Sequence, residues 1–146
     1  MKERLERNVL EFLHESKKLI EQHEKFKAKW LDLTISDLFD WIVLKEQMQN
    51  MITEGKSMYL ENKNELKSMT WKRMIELKSE LTEDWKKKYT DTTAEWTINQ
   101  EFKWINELMN QLNTYCDLLS NPESNIESYV NLIKFNMKLL TPIQWL

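Results

Sequence analysis

The chain has 146 residues, of which 41% are hydrophobic and 31% charged, and its formal net charge is −3. Enough apolar side chains are present to build a core, so the composition excludes an intrinsically disordered chain. The longest apolar runs, such as Trp41–Leu44, have four residues, which is far too short for a helix that crosses a bilayer. The small net charge disfavours nucleic acid and an anionic membrane surface as partners.

Glycine and proline are scarce: the sequence has one Gly and two Pro, against usual shares of about 7% and 5%. Because the tight turns of all-β and α/β folds rely on these residues, the composition predicts an all-α protein. The single cysteine, Cys116, excludes an internal disulfide framework and is typical of a reducing compartment. No hydrophobic segment follows the charged N-terminus, so we predict no secretory signal and an intracellular, cytoplasmic location.

The first helix is predicted from residues that recur at alternating spacings of four and three. They form one stripe down a helix face, and the stripe consists of Leu5, Val9, Phe12, Ser16, Leu19, His23, Phe26, Trp30 and Leu33. We predict a helix over residues 2–33, about 45 Å long at 1.5 Å per residue. A solitary helix would leave this stripe in water, so a partner helix is required.

A helix corner is predicted at Thr34, whose hydroxyl can cap the next helix while Asp37 lies three residues later, as in a capping box. The second helix then begins at about residue 36. Trp30 and Trp41 flank this corner, and we expect their indoles to pack the joint, each burying roughly 200 Å².

The middle segment leaves two alternatives open at Gly55, the only glycine of the chain. A mid-helix glycine costs about 1 kcal/mol relative to alanine, and it can equally end a helix. The segment is therefore either one continuous helix or two helices over residues 36–53 and 57–89.

Two further helices are predicted beyond residue 90. Thr92 with Glu95 resembles a capping box and opens a helix over residues 93–120, which the sequence Ser-Asn-Pro at 120–122 ends. Ser124 with Glu127 resembles another box and opens a helix over residues 124–141, before Pro142.

The predicted fold class is an all-α, elongated antiparallel bundle of four to five helices with coiled-coil packing. The middle segment serves as a spine, with the first helix against its first half and the later helices against its second half. A compact four-helix bundle that folds back at Gly55 is the alternative. The apolar residues Ile143, Trp145 and Leu146 follow Pro142, and they favour a fragment of a larger helical protein over a complete single domain.

No constellation of residues predicts catalysis, a cofactor site or a metal site. Glu11 and His14 have the Glu-x-x-His spacing of di-iron helices, but no second copy exists, and a solvated surface pair is the expectation. His23 is expected at a helix interface, where it could titrate near neutrality and loosen the first helix. Cys116 lies on an apolar stripe and is expected in the core. We therefore predict that the protein is not an enzyme.

The seven tryptophans are the compositional outlier. Trp85 and Tyr89 are in phase with the apolar stripe, so we expect them in the core with three lysines on the outside. Other indoles do not share a face and are expected to reach the surface, where tryptophan commonly anchors protein contacts. The candidate partner contacts are Trp71, Trp96, Trp104, Trp145, Lys86, Lys87 and Lys88. The alternative is that large aromatics fill wide spacings in a thin core.

Two short segments resemble known helical families. The sequence DLFDWIVLKEQM at residues 37–48 resembles the first helix of a spectrin-type repeat, with helices over 37–54, 57–89 and 95–119. The sequence LLTPIQW at residues 139–145 resembles a corner in the stem of dynein heavy chains. Each resemblance implies mechanical spacing and subunit docking on the cytoskeleton, and neither assigns a functional residue.

The predicted function is a non-enzymatic structural or docking module within a larger assembly. Its expected partners are proteins, including neighbouring segments of the same larger chain, and no nucleic acid, membrane or cofactor. The alternative is a freestanding helical regulator, an inhibitor or effector, that binds one protein through exposed tryptophans. The sequence leaves the oligomeric state open.

Overall fold

The computed structural model describes the backbone of residues 1–30 and 32–140 and the side chains of residues 1–30 and 32–136. Within these residues the protein is an all-α helical bundle without a strand, which confirms the predicted fold class. The helices are α1 Lys2–Ala28, α2 Ile35–Ser79, α3 Asp91–Glu101 and α4 Lys103–Leu140.

The three long helices alternate in direction. Arg4 of α1 pairs with Glu61 of α2 at 3.4 Å, so α1 and α2 are antiparallel. Lys45 of α2 pairs with Glu127 of α4 at 3.1 Å, and Cys116 lies against Ile52, so α4 is antiparallel to α2 as well.

The main core lies where α1, α2 and α4 meet. It is lined by one apolar face of each helix, and its fully buried side chains include Leu5, Val9, Leu38, Trp41, Leu44, Met48, Ile105, Leu112, Leu119, Ile126 and Val130. The predicted layout is only partly right, because α4 packs along the first half of α2 beside α1 instead of lying against the second half alone.

The first corner is close to its prediction. Thr34 and Asp37 form the capping box: the Thr34 hydroxyl accepts from Asp37 N at 3.1 Å, and the Asp37 carboxylate accepts from Thr34 N at 3.0 Å. However, α1 ends at Ala28 and not at residue 33. Trp30 therefore leaves the helical stripe and is 38% exposed, whereas Trp41 is completely buried.

The α2 helix is continuous through Gly55, so of the two alternatives the continuous helix is correct and the division into helices 36–53 and 57–89 is wrong. A Cβ atom at Gly55 would lie 2.5 Å from Cys116 Sγ and 2.6 Å from Phe12 Cζ. The glycine is thus required by close packing of α1 and α4 against α2, and not by a turn of the backbone.

The α4 helix passes through Pro122, so the predicted end at residue 120 and new helix at residue 124 are also wrong. Ser124 does not cap a helix start, since its hydroxyl donates to the Asn121 carbonyl at 2.9 Å. The buried positions keep their spacing of three, four and seven across the proline, and the packing of Leu119 and Ile126 on the same core holds the helix together.

The second half of the chain departs further from prediction. α2 ends at Ser79, ten residues before the predicted end, and the chain turns back through residues 80–90. The next helix is capped by Thr90, not Thr92, through a reciprocal pair of hydrogen bonds with Thr93. This helix, α3, is short and ends at Glu101, and Phe102 separates it from α4.

We expect Gly55→Ala to lower the free energy of unfolding by up to about 2 kcal/mol, since overpacking costs about 1–3 kcal/mol and the gain in helix propensity is about 1 kcal/mol. Chemical denaturation of the single and double variants with Cys116→Ala measures the coupling, because removing Sγ relieves the contact on the α4 side of the new methyl group while the contact with Phe12 remains. Additive effects of the two substitutions would contradict this account of Gly55.

Ser16 is fully buried in the core, and its hydroxyl has no hydrogen-bond partner among the described residues. Ser16→Ala should therefore raise the free energy of unfolding by about 1 kcal/mol, because an unsatisfied buried hydroxyl is removed. The matched control is Ser57→Ala at an exposed position inside α2, where only helix propensity changes and a few tenths of a kcal/mol are expected. Equal effects in both variants would show that Ser16 is satisfied.

Candidate docking surface

Residues 70–102 form a second packing unit, which we call the distal arm. It consists of the last part of α2, the turn 80–90 and α3, and α1 does not contact α3. Its own small core contains Leu77, Ala94 and Ile98, all buried. Phe102 packs against both this core and the main core, so the arm is joined to the bundle by apolar contact as well as by the chain.

Ion pairs fix α3 against α2. Arg73 donates from Nε and Nη2 to both carboxylate oxygens of Glu101, at 2.8 and 3.0 Å, and from Nη1 to Glu76 at 3.0 Å. Lys78 pairs with Asp91 at 2.9 Å, and this contact lowers the pKa of the Asp91 carboxyl. The bidentate geometry at Arg73 specifies orientation, so the arm presents its outer side chains in a defined arrangement.

Three indoles on the arm are strongly exposed: Trp71 at 70%, Trp85 at 81% and Trp96 at 66%. Trp96 lies two residues from both Ala94 and Ile98, which places it on the side of α3 opposite the small core. Ile75, which lies one turn after Trp71 on α2, is also exposed. The structure thus places predicted contacts Trp71 and Trp96 on one unit, although on different sides of it.

The prediction that Trp85 lies in the core is wrong. The helix has already ended at Ser79, and Trp85 sits at the tip of the turn with φ of 60°, a left-handed conformation that bulky residues rarely adopt. Trp85 N donates to Thr82 O at 2.9 Å and Thr82 N donates to Lys86 O at 2.7 Å. These bonds hold the strained residue in place, and the only sequence signal for the turn is the run Thr-Glu-Asp at 82–84.

The lysines that follow are exposed, as expected, but on a turn and not on a helix. Lys88 Nζ lies 3.7 Å from the Glu80 carboxylate and 5.6 Å from the centre of the Tyr89 ring. Lys86 and Lys87 directly follow the exposed Trp85. Tyr89 is partly buried against the small core, so its predicted burial is only partly right, and it lies in the turn and not on a helix.

The remaining predicted contacts fall elsewhere. Trp104 is only partly exposed and packs against the main core, with Lys2 Nζ 5.3 Å from its ring centre. Trp145 lies outside the described residues.

A buried polar pair joins α1 and α2 in the main bundle. Trp41 Nε1 donates to His23 Nδ1 at 3.1 Å, and His23 is buried. Trp41 also stacks on Tyr129 at 5.7 Å and on Phe26 at 5.8 Å between ring centres. Burial lowers the pKa of His23 from 6.5, with the Glu24 carboxylate opposing and Lys27 adding to this shift.

The other residues considered as candidates for catalysis or metal binding are either packed in the core or exposed to solvent. Cys116 is buried in the core as predicted, and burial raises the pKa of its thiol. Glu11 and His14 are exposed. Within the described part of the chain, no three His, Cys, Asp or Glu side chains are grouped so that they could hold a metal ion.

Comparisons with protein-family models, curated proteins and solved structures found no match for this chain. The resemblances to spectrin-type repeats and to dynein stems therefore stay predictions. Among the described helices, none combines the length and the apolar character needed to traverse a bilayer.

The free energy of unfolding is expected to fall as the pH drops below 6.5. In this range the unfolded chain binds a proton at His23, whereas the folded protein does not, because burial lowers the pKa of this side chain. The loss stops once the pH is below the folded pKa. Hydrogen bonds from the Thr34 backbone and from Lys78 lower the pKa values of the Asp37 and Asp91 carboxyls respectively, away from this window.

Urea denaturation at several pH values on either side of 6.5 measures this effect. His23→Gln should flatten the dependence, whereas the control variant His14→Gln should retain it. A wild-type free energy of unfolding that is constant across this range would disprove the assignment.

Proposed function

We propose that this chain is a non-enzymatic, protein-docking helical module of a larger assembly and that the distal arm is its contact surface. The observation that carries the proposal is the exposure of Trp71, Trp85 and Trp96 on one small unit, between 66% and 81%. Exposed tryptophan is the residue type most often found at the energetic centres of protein interfaces.

Electrostatics define the kind of partner. Lys86 and Lys87 stand next to Trp85 at the tip of the turn, and no described carboxylate lies within 4.0 Å of either ammonium group. A partner surface with an apolar pocket for the indole and carboxylates at its rim would satisfy both groups. Glu83 and Asp84 precede the indole, so the partner's carboxylates have to lie on the lysine side of Trp85, and the continuous negative charge of a nucleic-acid backbone fits this tip less well.

Preorganisation favours tight binding. The Trp85 backbone is held by its bond to Thr82 O and by the Thr82–Lys86 bond beside it, and α3 is held by the Arg73–Glu101 pair, so little backbone conformational entropy remains to be lost at these positions. Each indole can bury about 200 Å² at an interface. Because Trp71 and Trp96 lie on different sides of the arm, only a partner that wraps around it covers all three indoles, which would bury about 600 Å² of the roughly 800 Å² per partner of a standard interface.

The proposal is tested by capture of a partner from the source cells on the immobilised full chain, followed by calorimetry with the purified partner. The variant Trp71→Ala/Trp85→Ala/Trp96→Ala should bind at least about 30-fold more weakly, the equivalent of 2 kcal/mol. Because all three side chains are exposed, the thermal unfolding curve followed by circular dichroism should be unchanged.

Trp30→Ala is the matched control, since Trp30 is a partly exposed indole at the far end of the bundle. It should leave the affinity unaltered. Undiminished binding by the triple arm variant, or an equal loss in the Trp30 variant, would refute the arm as the docking surface.

A further inference from the structure

A row of exposed side chains on α2 combines positive charge with apolar surface. We call it the basic row, and it consists of Lys56, Leu60, Lys63, Lys67 and Trp71. The spacings of four, three, four and four place these residues within about 80° of one another around the helix, over a length of about 22 Å. All five side chains are exposed, Leu60 at 56% and Trp71 at 70%. The row therefore lies outside both packed cores.

The three lysines of the basic row have no acidic neighbour on their own helix. Side chains three and four positions apart are neighbours on a helix surface, and no such position around Lys56, Lys63 or Lys67 holds Asp or Glu. Lys63 and Lys67 are themselves four positions apart, so their like charges repel each other. No carboxylate in the described part of the chain lies within 4.0 Å of these three ammonium groups. Their charge is therefore uncompensated at close range.

Several other exposed lysines of the protein do pair with carboxylates. Lys2 lies 3.9 Å from Glu6 within α1, and Lys78, further along the same helix as the basic row, lies 2.9 Å from Asp91 of α3. The chain carries 24 acidic residues against 21 Lys and Arg, so carboxylates are numerous enough to have paired the row as well. The basic row is thus a local segregation of positive charge on an acidic protein.

The acidic residues of this part of α2 lie on another side of the helix. Glu54, Glu61 and Glu65 are at least about 120° around the helix from Lys67, and Glu61 pairs with Arg4 of α1 at 3.4 Å. Uncharged side chains separate them from the basic row, namely Ser57, Asn64 and Ser68. The positive charge is therefore confined to a band one helix face wide.

The centre of the uncompensated charge is at Lys63 and Lys67. Near the other lysine of the row an acid is supplied by α4: burial raises the pKa of the Cys116 thiol, and Lys56 and Asp117 act on it with opposite signs. Lys63 and Lys67 lie between the exposed apolar side chains Leu60 and Trp71. The row thus presents two cations with an apolar contact on either side.

We propose that the basic row is the docking site for an acidic amphipathic helix of the partner protein. A helix laid along α2 carries carboxylates four positions apart at a spacing of about 6 Å, which matches the spacing of Lys63 and Lys67. Apolar residues one turn beyond each carboxylate then face Leu60 and Trp71, in the manner of an amphipathic helix that binds through regularly spaced anchors. The inference rests on the proposed function, since Trp71 belongs to both the basic row and the distal arm.

The narrowness of the positive band favours a helix over a nucleic acid or an anionic membrane. A helix packs with its axis about 8–10 Å from that of its neighbour and contacts one face. A duplex or a bilayer surface covers several faces at once and brings its phosphates towards Glu54 and Glu61, where they are repelled.

The test uses two fluorescein-labelled, alanine-rich peptides of about 18 residues, long enough to span the row, and measures their binding to the full chain by fluorescence anisotropy. One peptide carries Leu, Glu, Glu and Leu at successive spacings of three, four and four, and the other has Gln in place of both Glu. At low ionic strength the chain should bind the glutamate peptide about fivefold more tightly, because two exposed ion pairs form. High salt should remove this preference.

The variant Lys63→Gln/Lys67→Gln should bind both peptides equally. Its matched control is Lys25→Gln/Lys29→Gln, which removes two exposed lysines of the same spacing at the end of α1 and should retain the fivefold preference. Because the replaced side chains are exposed, circular dichroism melts should show that both variants are folded.

A glutamate preference that survives Lys63→Gln/Lys67→Gln, or its absence from the wild-type chain, would overturn the proposal. If Lys86→Gln/Lys87→Gln removes the preference instead, the peptide is bound by the tip of the distal arm, and the proposed function stands without the basic row. An oligonucleotide or a phosphatidylserine vesicle that binds more tightly than the glutamate peptide, and is lost in the Lys63→Gln/Lys67→Gln variant, would overturn the helical partner equally.

Discussion

The close approach of three helices at Gly55 is the constraint on which the bundle depends. Phe12 from α1 and Cys116 from α4 both reach the position that a Cβ atom would occupy on α2. Interiors are packed to the density of organic crystals, so the helices can come this near only where one of them lacks a side chain. On either side of this point, larger residues such as Trp41 and Leu112 are fully buried between the helices. The single glycine sets the distance between helices that these residues then satisfy.

The two ends of the bundle differ because its helices have unequal lengths. At one end α1, α2 and α4 enclose Trp41 and its aromatic neighbours, and the outer side of α2 and α4 keeps the exposed rings of Phe39 and Phe135. At the other end α2 extends beyond α1, and α3 is the helix that folds back on it around Leu77. Because α3 is short, the distal arm buries few apolar groups, and the indoles of the arm remain exposed to water. The two exposed surfaces are thus separate consequences of helices of unequal length.

Buried polar groups add specificity to this apolar packing. His23 and Trp41 satisfy each other between α1 and α2, and their bond constrains the register of the two helices in a way that a purely apolar pair would not. Asn62 lies in the buried stripe of α2 with its Nδ2 group unpartnered among the described residues. A buried asparagine at such a position disfavours alternative registers at some cost in stability.

The sequence by itself determined the local features. The all-α class, the stripe of α1 and the capping box at Thr34 and Asp37 were all predictable, because they depend on residues three or four positions apart. The sequence also marked Trp71 and Trp96 as candidates for the surface, since they are out of phase with the apolar stripes.

Only the tertiary structure decided whether the helices continue at Gly55 and Pro122 and where α2 ends. A mid-helix glycine costs about 1 kcal/mol and a proline about 3 kcal/mol, and the burial of several stripe residues against neighbouring helices outweighs both. The exposure of Trp85 likewise depends on a fold-back near Ser79 that no glycine or proline signals. Burial is a property of the neighbours that a helix acquires, and those neighbours are distant in the chain.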